Sequence, residues 1–152
     1  MRFMVSEGST IPGELRTTIE FALNTLLRRA CEEEQLNAPR IRELLRDAHM
    51  YHIHLDQTTL EFTLRRNLEQ LSAKLTDDPG SLLAMERLEH ALQLAQRMPF
   101  PVVLRTVQNR IYDIYIRLYP RYARKAARGD QQMRLWVQKF HQVAQALSLL
   151  VA

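Results

Sequence analysis

Leucines recur every three or four residues through the middle of the chain, and this spacing constrains the fold more than any other feature. Five of them fall on one stripe of a helix: Leu60, Leu64, Leu68, Leu71 and Leu75. An α-helix turns once every 3.6 residues, so this stripe forms one apolar face with polar side chains opposite. A β-strand would divide the same five leucines between its two faces. The pattern therefore predicts a long amphipathic helix that other helices must cover.

Cap residues divide the rest of the chain into similar segments. Asn37, Asp56, Asp78 and Asp130 each precede a stretch with helical apolar spacing, and each is a predicted N-cap. Pro79 follows Asp78 and suits the first helical position, where a missing N–H has no cost. These signals predict that new helices begin shortly after each cap.

Prolines mark the helix ends. Pro99 and Pro101 end the fourth predicted helix, and Pro120 kinks or ends the fifth near Tyr119. A basic stretch over 121–128 then resumes the helix until Gly129. We therefore predict an all-α fold of about six amphipathic helices in an antiparallel bundle. Residues 1–13 form an N-terminal tail in this scheme, and residues 14–152 form a single helical domain.

Length and cysteine content bound the class of protein. A chain of 152 residues buries enough surface to fold without disulfides, and its single cysteine, Cys31, cannot form a disulfide within the chain. The N-terminus lacks the apolar run of a secretory signal, and no stretch approaches the apolar length of a membrane span. We expect a cytoplasmic protein with no membrane contact.

Charge is distributed unevenly along the chain. Residues 1–104 carry 12 basic and 15 acidic side chains, whereas residues 105–152 carry nine basic and two acidic ones. The basic character of the protein therefore belongs to its C-terminal third. Such a segment suits an acidic protein partner or a nucleic acid.

Arginines and tyrosines alternate in this basic segment. The arginines include Arg117, Arg121, Arg124 and Arg128, and the tyrosines are Tyr112, Tyr115, Tyr119 and Tyr122. Arginine neutralises phosphates and aromatic rings stack on bases, so the segment 105–128 is one candidate nucleic-acid surface. The tyrosines are also three and four residues apart, which favours a half-buried stripe with the arginines facing water. Both interpretations stay open at this point.

A histidine cluster supplies the only candidate metal site in the sequence. His49 and His52 are one helical turn apart, and His54 and Asp56 follow within a predicted loop. Imidazole and carboxylate ligands suit zinc, which makes a small metalloprotein an alternative hypothesis. Polar residues at a helix end explain the same pattern, so we predict no metal and no other cofactor.

Signs of catalysis are otherwise absent from the sequence. The acidic runs Glu32-Glu33-Glu34 and Asp77-Asp78 lie at predicted helix ends, where solvated surface charge explains them. The four glycines form no phosphate-binding loop. Cys31 has no neighbouring base in the sequence. We predict no catalytic residue and no enzymatic activity.

Dispersed motifs give the chain a resemblance to a known group of proteins. They include Glu20-Phe21-Ala22-Leu23-Asn24, Asp77-Asp78-Pro79-Gly80, Pro99-Phe100-Pro101-Val102, Val107-Gln108-Asn109-Arg110-Ile111-Tyr112 and Gly129-Asp130 with Trp136 and Phe140. Together they resemble the C-terminal helical region of bacterial proteins related to family-57 glycoside hydrolases, the alpha-amylase/alpha-mannosidase-like group. The resemblance runs from about residue 14 onward.

This resemblance implies a context rather than an activity. Catalytic carboxylates of such proteins are expected in an N-terminal barrel domain, for which this chain has neither the length nor the strand pattern. Gln108, Asn109 and Tyr112 match the helical region and become candidate contacts to a catalytic domain or to sugar. The sequence also departs from the pattern, which has a tryptophan near Arg105 and a glycine near His52. The resemblance therefore implies a non-catalytic accessory module that packs against a protein partner or another copy of itself.

Overall fold

The computed structural model describes residues 11–149, and the predicted tail therefore lies mostly outside the described residues. This part of the chain is helical and holds no β-strand. It forms seven helices: α1 (Gly13–Glu32), α2 (Ala38–Met50), α3 (Gln57–Asp77), α4 (Leu82–Gln96), α5 (Arg105–Arg117), α6 (Tyr119–Ala127) and α7 (Gln131–Ala146). The all-α class predicted from the leucine spacing is confirmed.

The seventh helix results from a break at Leu118. This residue has φ −120° and ψ −31°, outside the narrow range of helical backbone, and it separates α5 from α6. Pro120 lies in the first turn of α6, where its missing N–H leaves no intrahelical bond unmade. The sequence predicts a kink or an end at this place, and the structure has an end followed at once by a new helix.

The chain divides into two compact units, residues 1–64 and residues 65–152, and the boundary falls inside α3. In the first unit α1 packs against α2. Its core consists of buried aliphatic side chains from these helices and from the start of α3: Ile19, Leu23, Leu27, Ile41, Leu44, Leu60 and Leu64. These are the positions that the helical spacing places on inward faces.

In the second unit α7 packs against both α4 and α6, and α5 contacts α6. Trp136 of α7 is fully buried at the centre of this unit. Its ring stacks on Phe140 with 5.0 Å between centroids and meets the edge of Tyr122 at 4.6 Å. Its Nε1–H donates a hydrogen bond of 2.6 Å to the carbonyl of Pro79. The turn before α4 is therefore tied to the middle of α7.

Three of the four predicted N-caps are confirmed. The side chains of Asn37, Asp56 and Asp130 each accept a hydrogen bond from the backbone N–H three residues on. The prediction for Asp78 is wrong, because α4 begins at Leu82 and Ser81 is its cap, with Oγ accepting from the N–H of Ala84 at 3.1 Å. Asp78 instead begins a tight turn, since its carbonyl accepts from the N–H of Ser81.

Among the described helices none is both long enough and apolar enough to cross a membrane.

Candidate functional site

Helix α5 has two opposite stripes of side chains, and the described part of the chain buries only one of them. Val107, Ile111 and Ile114 are fully buried. The outer stripe of α5 is formed by four residues spaced four, three and four apart, and all of them are exposed: Arg105, Asn109, Tyr112 and Ile116. Tyr112 is 54% exposed and Ile116 is 56% exposed. The outer stripe therefore presents apolar surface that the described part of the chain does not cover.

The next helix presents a basic face. Arg121, Arg124, Lys125 and Arg128 follow helical spacing along α6 and its C-cap, and all four are exposed. Within residues 11–149 none of these four cations forms an ion pair. The guanidinium of Arg121 lies over the ring of Tyr122, with its Cζ 5.4 Å from the ring centroid. We call this set of four cations the basic face of α6.

Arg117 differs from these four cations. It lies on the surface of α5, and its Nη2 is 2.5 Å from Oδ2 of Asp113 one turn earlier. Both side chains are more than half exposed, so the pair contributes little to stability. It does offset the charge of Arg117 locally, and net positive charge is therefore concentrated on α6.

Two other polar residues of α5 form hydrogen bonds within the second unit. Gln108 donates from Nε2 to the carbonyl of Leu147 at 2.9 Å and so binds the C-cap of α7. Arg110 donates from Nη1 to the carbonyl of Glu69 at 2.5 Å and to Oγ of Ser72 at 3.0 Å. Of the three residues that match the resemblance, Asn109 and Tyr112 thus lie on the outer stripe, whereas Gln108 is directed inward.

The other tyrosines of this segment join an aromatic cluster. Tyr115, Tyr119 and Tyr122 are half-buried, with Tyr119 lying 5.5 Å from Phe140 and 5.1 Å from Tyr115 between ring centroids. The hydroxyl of Tyr119 is 2.6 Å from Nε2 of His141. Burial, with a smaller effect of Tyr115, raises the pKa of Tyr119 above its ordinary value. These rings hold α5, α6 and α7 together, and only Tyr112 faces outward.

The histidine cluster does not converge. His49, His52 and His54 are exposed, and the described residues contain no group of three or more His, Cys, Asp or Glu side chains able to hold a metal ion. Hydrogen bonds from α1 instead fix the backbone of the loop that carries His52 and His54. Arg16 donates to the carbonyl of His52 at 2.9 Å, and Asn24 donates to the carbonyl of His54 at 3.0 Å.

Asn24 also accepts a hydrogen bond of 2.8 Å from the N–H of Asp56 through Oδ1. This residue therefore orients the N-cap of α3, and the histidine carbonyls are fixed while the imidazoles face solvent. Nothing in the local sequence pattern reveals this role, because Asn24 and Asp56 are 32 residues apart.

A shallow open pocket of about 230 Å³ lies between the end of α3 and the start of α4. Leu71, Lys74, Asp78, Leu83 and Arg87 line it. Its volume is below the 300–1,000 Å³ usual for small-molecule sites. Ser81 also lines the pocket, and its Oγ accepts the capping hydrogen bond from the N–H of Ala84.

Comparison with known proteins adds no relative: no family model, no curated protein and no solved structure matches the chain.

The exposure of Ile116 was not predicted from the sequence. A signal for it exists, since Val107, Ile111, Ile114 and Leu118 already complete an apolar stripe and Ile116 falls on the opposite side of the helix. Tyr112, one turn earlier, is exposed on the same side, so the two side chains are neighbours on the helix surface.

Proposed function

We propose that this protein is a non-catalytic helical accessory module that acts by packing against a protein partner. The outer stripe of α5 carries the proposal, because Tyr112 and Ile116 are both more than half exposed and lie one turn apart on the same side of the helix. Tyrosine is enriched at the energetic centres of protein interfaces, where its ring is buried and its hydroxyl stays hydrated. A partner that covers these two side chains removes apolar surface from water on both molecules.

The partner is proposed from the resemblance described above. In family-57 glycoside hydrolase-like proteins the corresponding helical region accompanies a catalytic barrel domain, and we take such a barrel as the partner. On this view the chain contributes no catalytic residue, and the chemistry belongs to the barrel. Self-association through the same stripe is the other form that protein packing could take.

Two further features belong to the same proposal. We infer that the helices are arranged as an antiparallel bundle, which the short connections between successive helices support. We also infer a cytoplasmic location, because the single cysteine suits a reducing compartment.

The test uses isothermal titration calorimetry with two separately produced polypeptides. One is the 152-residue chain, and the other is the barrel domain of a family-57 glycoside hydrolase-like protein whose C-terminal region resembles it. We expect saturable binding that Ile116→Asp weakens at least tenfold, because the new carboxylate must be desolvated in the interface. Leu83→Asp is the matched control, since Leu83 is equally exposed on α4 and should bind as wild type does.

Absence of binding by the wild-type chain would refute the barrel domain as its partner. Equal loss with Ile116→Asp and Leu83→Asp would refute the assignment to the outer stripe. Hydrolysis of a glycan by the chain alone would refute its non-catalytic character.

Nucleic-acid binding is the second candidate function, and the basic face of α6 favours it. Four exposed cations without ion pairs within residues 11–149 suit a phosphate backbone. Fluorescence anisotropy of labelled 24-nucleotide RNA and DNA at 50 mM salt tests it, since phosphate contacts are strongest there. A small metalloprotein built on His49, His52 and His54 has no such support, because these imidazoles do not converge within the described residues.

A further inference from the structure

The basic face of α6 lies on one side of a single helix. Arg121, Arg124, Lys125 and Arg128 are three, one and three residues apart, which places them within about 100° of the helix circumference. The first three lie in α6 and Arg128 is its C-cap, and all four are exposed. From the first to the last the helix rises about 10 Å. The face therefore presents four positive charges over about two turns.

The acidic side chains nearest in the sequence form contacts elsewhere. Asp113 and Asp130 are the two acidic residues in 105–152. Asp113 pairs with Arg117 on α5, and Oδ1 of Asp130 caps the first turn of α7. The four cations of the basic face form no ion pair within residues 11–149. Like charges four residues apart destabilise a helix, so a bound anion would remove a repulsion that this part of the chain does not relieve.

A fifth cation lies at the C-terminal end of α6. Arg134 of α7 donates from Nε to the carbonyl of Ala126 at 3.1 Å. This carbonyl belongs to the last turn of α6, where the negative end of the helix dipole favours a cation. Arg134 is exposed, and its Nη groups donate no hydrogen bond within the described residues. The hydrogen bond therefore fixes the side chain of Arg134 and leaves its outer N–H groups able to bind an anion.

The aromatic rings of α6 are already packed within the second unit. The ring of Tyr122 meets Trp136 with 4.6 Å between centroids, and the guanidinium of Arg121 lies over it. Tyr119 packs on Phe140. Proteins that bind single strands combine positive charge with exposed rings on which bases stack. The basic face has the charge without the free rings, which favours contacts to phosphates over contacts to bases.

The density of charge also favours a duplex. B-form DNA carries about one phosphate per 1.7 Å of helix axis, and each strand about one per 3.4 Å. Over about 10 Å a duplex therefore presents about six phosphates to four cations, whereas a single strand presents about three. Helix α6 has no serine, threonine, asparagine or glutamine with which to bind the 2′-hydroxyls of RNA. These features favour double-stranded DNA.

We infer that the basic face of α6, together with Arg134, binds the phosphate backbone of double-stranded DNA. This inference rests on the second candidate function and specifies the class of nucleic acid. Contacts to phosphates carry no sequence information, so a duplex of any sequence serves as the probe.

The experiment measures the fluorescence anisotropy of three labelled probes: a 24-base-pair DNA duplex, one of its strands alone, and an RNA duplex of the same sequence. Arg121→Gln with Arg124→Gln removes two charges from the basic face. Arg66→Gln with Arg97→Gln is the matched control, because Arg66 and Arg97 are exposed on α3 and at the C-cap of α4. Glutamine is a good helix former, and circular dichroism first confirms that both variants keep the helical content of the wild type.

We expect the wild-type chain and the control to bind the DNA duplex alike. Four or five phosphate contacts give a slope of about −3.6 to −4.5 for the logarithm of affinity against the logarithm of salt concentration. Affinity should therefore fall about a hundredfold or more between 50 and 200 mM NaCl. The α6 variant should bind at least tenfold more weakly at 50 mM NaCl, with a slope shallower by about 2. The single strand and the RNA duplex should bind the wild type at least fivefold more weakly than the DNA duplex.

Three results would overturn the inference. Equal affinity of the α6 variant and the control for the DNA duplex would exclude the basic face as the site while nucleic-acid binding itself stands. A single strand or an RNA duplex that binds as tightly as the DNA duplex, or more tightly, would refute the choice of double-stranded DNA. If the wild-type chain binds none of the probes at 50 mM NaCl, the second candidate function fails and this inference fails with it.

Discussion

His52 occupies a backbone conformation that favours glycine, with φ of 52° at the end of α2. A left-handed conformation costs a residue with a Cβ atom roughly 1–2 kcal/mol, and the greater freedom of glycine in the unfolded chain returns part of this. We therefore expect His52→Gly to raise the free energy of unfolding by up to about 1 kcal/mol, measured by urea denaturation.

His54→Gly is the control for this effect, because His54 lies in the same loop with no positive φ. We expect it to lower stability slightly through the entropy of the unfolded chain. Destabilisation by both substitutions would show that the His52 side chain contributes more than its backbone strain costs.

Cys31 is the clearest source of pH-dependent stability. Its side chain is fully buried, and burial, with a smaller contribution from Glu32, raises the pKa of the thiol from 9.0 to about 11. The unfolded chain therefore loses this proton at lower pH than the folded protein does. The stabilisation is complete below pH 9 and declines as the pH rises toward 11, by about 2–3 kcal/mol in all.

The measurement that isolates this effect compares wild type with Cys31→Ala between pH 8 and pH 11. The alanine variant starts lower because it leaves a small cavity. Its stability should nevertheless fall less steeply with pH, since only the remaining groups such as Tyr119 titrate. Parallel curves for the two proteins would contradict the raised pKa of Cys31.

At the scale of helices, the start of α4 shows how a local rule selects the wrong residue. Asp78 and Ser81 both satisfy the preference for an N-cap, and Pro79 makes Asp78 the more attractive choice from sequence. In the structure residues 78–81 form a turn held by the Asp78 carbonyl, and this delays the helix. Trp136 binds the same turn from 57 residues away, so its shape depends on a tertiary contact.

We expect Ser81→Ala to lower the free energy of unfolding by about 1 kcal/mol, because the N–H of Ala84 loses its acceptor. Asp78→Ala should change it by less than about 0.5 kcal/mol, since the side chain is exposed. Thermal unfolding followed by circular dichroism measures both. The reverse order of the two effects would restore Asp78 as the cap.

The difference between local rules and tertiary contacts also decides how much of the structure could be predicted from the sequence. Apolar spacing and local caps identified the all-α class, the stripe of α3 and the caps at Asn37, Asp56 and Asp130, because these depend on residues within one turn of each other. The inward roles of Gln108 and Arg110 depend on partners 38 to 41 residues away, which no periodicity encodes. For the candidate site, the sequence predicts the basic segment and Tyr112, whereas the exposure of Ile116 is seen only in the structure.

At the scale of the whole chain, α3 is the element that both compact units share. Leu60 and Leu64 belong to the first unit, and Leu68, Leu71 and Leu75 belong to the second, although all five lie on one stripe of one helix. Helix formation is cooperative, because each new hydrogen bond extends a turn that is already formed. Unfolding the first half of α3 therefore removes turns that precede the second half and makes the second half less stable. We therefore expect the two units to unfold together, in keeping with the single domain predicted over 14–152.

The sole tryptophan makes this expectation measurable, because Trp136 reports only on the second unit. Leu27→Ala removes a fully buried side chain from the first unit and should destabilise it by about 2–5 kcal/mol. If α3 couples the units, the urea midpoint followed by Trp136 fluorescence falls together with the midpoint followed by circular dichroism. A fluorescence midpoint that stays at its wild-type value while the circular dichroism midpoint falls would show two independently folding domains, because the second unit would then hold its core without the first.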